Sequence, residues 1–293
     1  MEYFLLVLSV FSGLGATITK KYITDKTGDS LAHIFLYNAL SGVVATIFFL
    51  CFNGFSAISS YSLWLGIVFG MLTVMQVVGM MIAFQTGPMS FTVVIVNFST
   101  VITALSGVMF WDEKIKLLQI FGVVLSLISF VFAVEKKAAE KQASFKWLIF
   151  CLLAMLSTGS IGLLQKVHQT SIYKGEADGF LLVSFICLTI TSFACMEVLK
   201  RKEKVTLLPQ EAKTQTWLLI IIMLITGVFI AVPNKLNLYL SGIIDAVIFF
   251  PLVNGGNLLL STLVAFVAFK EKLSKKQWVG LLLGISSFAC LCI

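Results

Sequence analysis

Ten apolar runs of about twenty residues each, separated by short polar stretches, leave this chain almost nowhere to fold except within a membrane. A helix of roughly 20 residues crosses about 30 Å of hydrocarbon. Runs of that length occupy 3–19, 31–52, 61–84, 88–110, 117–134, 147–165, 179–199, 216–238, 243–269 and 277–293. Hydrophobic residues fill 59% of the 293 positions and charged residues 12%, with a mean hydropathy of +1.01, so too little polar sequence is left for a soluble domain. A barrel strand would alternate polar and apolar residues, whereas Leu218–Ile225 is apolar at every position. Helices satisfy the backbone in lipid without such alternation, and the expected fold class is all-α integral membrane with ten transmembrane helices. Trp64, Trp111, Trp147, Trp217 and Trp278 fall at predicted span ends, where an indole suits the headgroup layer. Met1 is followed by an acid rather than a basic segment, so the first run reads as a retained helix and not a cleaved leader.

The formal charge of +7 does not point to nucleic acid, because the basic residues sit in short loops and form no basic face. They report topology. Assigned to alternate sides of ten spans, sixteen Lys and Arg residues collect on one side, in the loops around Lys20, Lys136, Lys200 and Lys270, against five on the other: Lys114, Lys116, Lys166, Lys174 and Lys235. The positive-inside rule makes the richer side cytoplasmic and places both termini outside. Cys51, Cys151, Cys187, Cys195, Cys290 and Cys292 lie in or beside apolar runs without metal-type spacing and read as small buried hydrophobes.

A short phrase occurs twice. Trp111-Asp112-Glu113-Lys114 opens the fifth run and Phe269-Lys270-Glu271-Lys272 opens the tenth. In register, the pairs Glu113/Glu271, Lys114/Lys272, Gln119/Gln277, Gly122/Gly280, Leu125/Leu283, Ser129/Ser287 and Phe130/Phe288 are identical. Upstream, Phe4, Gly13 and Lys20 match Phe150, Gly159 and Lys166 at a common spacing. An odd number of spans separates the two phrases, so they face opposite sides, as in a 5+5 inverted repeat. The expected division is a first five-helix repeat at 1–135, a polar linker at 136–146 and a second five-helix repeat at 147–293. An acid at such a turn reads as a helix-start residue, and a span-end lysine such as Lys166 as a snorkelling one.

With five plus five helices, a Glu-Lys turn closing the fourth and ninth spans, and Gln-x-x-Gly opening the fifth and tenth, the chain resembles the drug/metabolite transporter superfamily, in particular its ten-helix EamA-like branch. The resemblance implies ten helices around a central cavity that opens alternately to either side and moves small metabolites, often amino acids or drugs, out of the cell. It also implies a multi-pass protein of the cell (plasma) membrane, here expected to be bacterial.

An amide facing lipid would leave hydrogen-bonding groups unsatisfied, so polar residues within the runs should point inward. Asn38, Gln76, Asn97, Thr100, Gln165, Asn234, Asn254 and Asn257 are the expected substrate-binding residues, with bonding from helix to helix as the alternative. Pro233 closes the eighth run, and Pro251, Gly255 and Gly256 are expected to interrupt the ninth, where broken helices expose backbone to substrates. These four are the expected gating positions; a simple kink is the alternative. Intramembrane ionisable groups are costly, and His33, Glu197 and Asp245 are the candidates for ion coupling. Gly122/Ser126, Gly280/Gly284 and Gly66/Gly70 are small-residue pairs that favour close helix packing, within a monomer or through a homodimer.

No nucleotide fingerprint, metal pattern or cluster of nucleophile and base occurs, so neither an enzyme nor a bound cofactor or metal is expected. The expected function is secondary active transport, as an exporter or exchanger of small polar or amphipathic metabolites such as amino acids, by alternating access. A proton-coupled multidrug or cation exporter and a non-transporting membrane or lipid-handling subunit are the alternatives. The expected partners are a small-molecule substrate and membrane lipids, with no nucleic acid.

Overall fold

In the computed structural model, which describes residues 1–27, 30–54, 56–133, 144–203, 213–267 and 274–292, the apolar runs are helices, with no strand among the described residues. In chain order these are α1 (Glu2–Thr27), α2 (Leu31–Asn53), α3 (Ser60–Thr86), α4 (Met89–Asn97), α5 (Ser99–Trp111), α6 (Leu117–Ala133) and α7 (Phe145–Thr170). A 3₁₀ turn (Lys174–Glu176), α8 (Ala177–Glu203), α9 (Lys213–Ser241), α10 (Ala246–Val267) and α11 (Lys275–Leu291) follow. Among the described residues, eight segments are long and apolar enough to cross a membrane, α4 and α5 sharing one of them. The shorter α6 and the 17-residue α11 bring the helical segments to ten among the described residues. The chain is a multi-pass membrane protein. Phe269 to Leu273, the second copy of the repeated phrase, lies outside the described residues, as do 136–143 of the polar linker.

Local chemistry sets the helix ends. The Ser30 hydroxyl accepts the His33 N–H and starts α2, and Gly54 ends it in the left-handed region at φ 57°. The repeated glutamine has one task in both copies: Gln119 Oε1 accepts the Lys116 N–H at 3.1 Å, and Gln277 Oε1 accepts the Ser274 N–H at 2.9 Å. Each reaches back over the first turn of its helix and satisfies a donor that the helix leaves orphaned. Asp112 ends α5 at φ 51°, a conformation an aspartate tolerates better than most residues, and swings the chain back toward Glu113.

The residues divide into two compact units, each drawn from both ends of the sequence: Met1–Val74 with His168–Tyr239, and Met75–Val167 with Leu240–Ile293. Within the first, α2 and α8 form the most extensive helix pairing, with Phe49 stacked on Phe185 at 5.4 Å. Gly66 and Gly70 let α3 approach the α8 backbone at Phe180 and Ser184. Ile23, Leu36, Tyr37, Leu219 and Met223 pack into a core from α1, α2 and α9.

Within the second unit, α6 and α11 pair most extensively. The Ser129 hydroxyl donates to the Gly280 carbonyl at 2.7 Å, and the Ser287 hydroxyl donates to the Gly122 carbonyl at 2.7 Å. Both serines and both glycines are repeat-matched, so the contact is reciprocal, as across a local two-fold axis. Gly122 lies against Leu291 and Cys290, and Gly284 against Leu259 and Ser129, so these small residues are used within the chain.

Three details depart from expectation. The eighth span, expected over 216–238, runs through Pro233 to Ser241 as α9, and the ninth is not interrupted at Pro251, Gly255 and Gly256, since α10 is continuous to Val267. Each proline deprives only one carbonyl, that of Phe229 or Val247, of its donor, and spanning helices accommodate such losses. A break falls instead at Phe98, between α4 and α5. There the Asn97 side chain donates to the Val93 carbonyl at 2.9 Å, competing for the acceptor of Asn97's own helical N–H. The Phe98 N–H is shared between the carbonyls of Val94 and Ile95, which tightens the turn. Finally, Trp147 is not a headgroup anchor: it is buried, and its Nε1 donates to Thr92 Oγ1 at 2.8 Å. Trp64 and Trp217, about two-thirds exposed, keep that interfacial character.

Candidate functional site

In the second unit, α5, α7 and α10 bring polar residues together. The Asn254 amide of α10 donates to Thr100 Oγ1 of α5 at 2.9 Å, and Thr100 is fully buried. One amide N–H and the carbonyl oxygen of Asn254 are left over from that bond. Asn257 is half-buried one turn further along α10. Close packing of α7 on the other two helices depends on Gly162, where a Cβ would run into Thr103 of α5 and Phe250 of α10. Gln165, buried, follows less than one turn later on α7.

Beside Gln165, at the end of the same three helices, is a buried ion pair. Lys166 Nζ bonds Glu113 Oε1, and the two side chains are 7% and 5% exposed. The ammonium also lies 3.5 Å from the Ile244 carbonyl and 5.6 Å from the centre of the Trp111 ring. The Glu113 carboxylate accepts the N–H groups of Ala246 at 3.0 Å and Val247 at 3.4 Å, the first two residues of α10. Glu113 is therefore a helix cap, but of α10, 133 residues downstream in sequence, and not of the adjacent α6. A carboxylate at this position meets both the unpaired donors and the positive end of the α10 dipole. Gly107 is the complement in α5, since a Cβ there would collide with that carboxylate and with Ala246. Lys166 does not snorkel to the surface because its counter-ion is brought to it.

The remaining candidates of this unit stand apart. Gln76 is half-buried on α3, and Asn97, also half-buried, is spent on the Val93 carbonyl. Asp245 is exposed, and its carbonyl accepts from Ile248 and Phe249 as the residue before α10. Pro251, Gly255 and Gly256 are buried inside α10. A concavity along α6, lined by Leu117, Leu118, Ile120, Phe121 and Val124, offers a polar solute no side-chain partner.

In the first unit, Asn38 is half-buried on α2 and its Nδ2 has no hydrogen-bond partner. Asn234 donates to the Ile230 carbonyl at 2.9 Å, directly after the buried Pro233. His33 is buried with its ring Nδ1 2.9 Å from the Ser30 hydroxyl, and Glu197 pairs with Arg201 one turn away at 3.0 Å on an exposed face. Two groups here were not among the expected site residues. His168 is fully buried, stacked on Phe180 and 3.2 Å from the Ser62 hydroxyl, while Ser59 beside it donates to Glu176 at 2.6 Å. Lys235 pairs with Asp178 at 2.8 Å, and its Nζ lies 3.6 Å from the centre of the Phe52 ring. Lys235 was visible in the sequence as a charge next to Pro233 and Asn234 in an apolar run; its partner, some 57 residues earlier, was not.

The family model described as the EamA-like transporter family matches residues 1–134. A solved structure, described only as the crystal structure of a protein, superposes with a TM-score of 0.74 over 100% of this chain and 98% of its own, at 14% sequence identity, a likeness of fold alone. No curated protein matches the chain. Residues 1–134, a little under half of the chain, are thus similar to the EamA-like transporter family.

Proposed function

We propose that the chain is a secondary active transporter, an exporter or exchanger of small polar or amphipathic metabolites such as amino acids, in the plasma membrane of a bacterium. The observation that carries this reading is the Asn254–Thr100 pair with its unspent amide groups, set between two apolar spanning helices. Amides and hydroxyls that orient a solute through hydrogen bonds suit a neutral or zwitterionic cargo better than a polyanion. Alternating access would come from two inverted five-helix halves, 1–135 and 147–293. The reciprocal Ser129–Gly280 and Ser287–Gly122 bonds between matched residues support that pairing. With those small residues engaged inside the chain, it would work as a monomer. The sixteen-to-five lysine and arginine count supports external termini.

The test is counterflow in proteoliposomes with a panel of radiolabelled amino acids. Wild-type protein should exchange at least one of them, and Asn254→Leu should lower the rate about tenfold while the protein still inserts and purifies as before. Movement of multivalent anions alone would overturn the reading.

A further inference from the structure

In the first unit, a row of four side chains leads from the surface to a buried imidazole. His168, near the end of α7, and Ser62, in the first turn of α3, are fully buried. The ring Nε2 lies 3.2 Å from the Ser62 hydroxyl, which lies 3.3 Å from Ser59 Oγ. Ser59 Oγ donates to Glu176 Oε2 at 2.6 Å. Ser59 and Glu176 are half-buried, so the row runs from an accessible carboxylate to a ring that solvent does not touch. The backbone holds it in place: the Ser59 N–H donates to the same Oε2 at 3.0 Å, and Ser59 Oγ accepts the Ser62 N–H at 3.2 Å as α3 begins. A hydroxyl both donates and accepts, so two in sequence can pass a proton inward without exposing the ring.

The surroundings also suit a charged ring. Phe180 of α8 stacks on His168 with ring centres 4.5 Å apart, and an aromatic face attracts a cation. The charged side chain acting on the ring is Glu176 of the 3₁₀ turn. Lys174 of that turn is exposed, and Asp178 at the start of α8 is paired with Lys235. From α7 itself, the half-buried Gln169 sets its amide Nε2 3.2 Å from Nδ1. Turned over, that amide offers Oε1 to a proton on Nδ1, as a doubly protonated ring requires.

We propose that His168 is a proton-binding site, reached from solution through Glu176, Ser59 and Ser62. A proton from water first forms the O–H bond of the Glu176 carboxyl group. Oε2 then passes it to Ser59 Oγ as the Ser59 proton moves to Ser62 Oγ and the Ser62 proton moves to Nε2, whose lone pair is free while the ring proton is on Nδ1. Three O–H bonds break; two O–H bonds and one N–H bond form. Glu176 is a carboxylate again and His168 an imidazolium. Coupling of this proton to solute movement rests on the transporter reading above, whereas its binding does not.

The test is NMR of purified full-length protein in nanodiscs, with histidine ¹⁵N-labelled in the ring. The chain has two histidines, and His168→Asn assigns their signals. As pH falls, the His168 signals should move from neutral imidazole to imidazolium while the helices persist. Glu176→Gln should weaken proton binding at His168 about tenfold or more. Ser62→Ala should slow exchange between the neutral and charged ring about tenfold or more, and Ser62→Thr, which restores a hydroxyl, should recover it. A merely structural serine would change stability and leave that exchange rate alone. A His168 ring that stays neutral until the helices unfold would overturn the site, and exchange unchanged in Ser62→Ala would overturn the relay. Solute exchange in proteoliposomes that ignores an imposed pH gradient, with His168 titrating as described, would leave the site and remove its coupling role. Absence of any solute exchange by wild type would count against the transporter reading instead.

Discussion

The two intramembrane ion pairs are built from the same chemistry and differ in what surrounds them. Lys166–Glu113 is closed: the carboxylate holds an ammonium and two backbone N–H groups, and the ammonium also meets a carbonyl and an indole face. Lys235–Asp178 is open, a quarter to a third exposed, with the ammonium set against both carboxylate oxygens. The closed pair joins α5, α7 and α10 and sets the start of the helix that carries Asn254. Burial makes such a pair a fixed part of the structure, because neither charge can be withdrawn without stranding the other. Exposure leaves the other pair able to exchange partners.

The largest effect should follow from opening the closed pair. Glu113→Ala or Lys166→Met is expected to destabilise the protein by about 3–5 kcal/mol, since each strands a buried charge, and the loss should appear as a fall in folded yield and in thermal unfolding in detergent. The double variant Glu113→Gln/Lys166→Met removes both charges and keeps an acceptor for α10; it should recover all but about 1–2 kcal/mol. If it is as unstable as either single variant, the pair is not the unit described here. Lys235→Met and Asp178→Asn should each cost no more than about 1 kcal/mol, the range of partly exposed ion pairs. Stability losses there that equal those at Glu113 would erase the contrast. The smallest effects belong to the reciprocal bonds: Ser129→Ala and Ser287→Ala should each cost about 0.6 kcal/mol, typical of a hydrogen bond between membrane helices, and the two values should agree. A strong inequality would show that the matched serines are not equivalent.

Much of the fold was legible because lipid imposes a length and a uniform polarity, and the ten apolar runs correspond to the ten helical segments. The repeated glutamines were legible as a pattern, and their task is local, three residues from the donor they satisfy. Glu113 was equally visible, but its partners come from α7 and α10, and no local rule connects residue 113 to residues 166, 246 and 247. For the same reason Lys166 read as a snorkelling lysine. The helix break was sought at Pro251 and the paired glycines, where backbone chemistry is weakest, yet it lies at Asn97-Phe98, where a side chain competes for a carbonyl. Among the candidate site residues, Thr100 and Asn254 are brought together, whereas Asn97 and Asn234 spend their amides on their own helices. Which of these a lone amide will do depends on its neighbours across the packing interface, and periodicity does not record them.

The reciprocal serine bonds also bear on how the protein is made. Helix α6 is complete by Ala133, but α11, which receives the Ser129 hydroxyl, begins only at Lys275, roughly 140 residues later. At a synthesis rate of roughly 5–20 residues per second, the small-residue face of α6 waits on the order of ten seconds in the bilayer before its partner arrives. During that interval the Ser129 hydroxyl has the carbonyl of Leu125, one turn back in its own helix, as a temporary acceptor. Closure of this seam is a late event in biogenesis, and a ribosome halted before α11 leaves α6 inserted but without its mate.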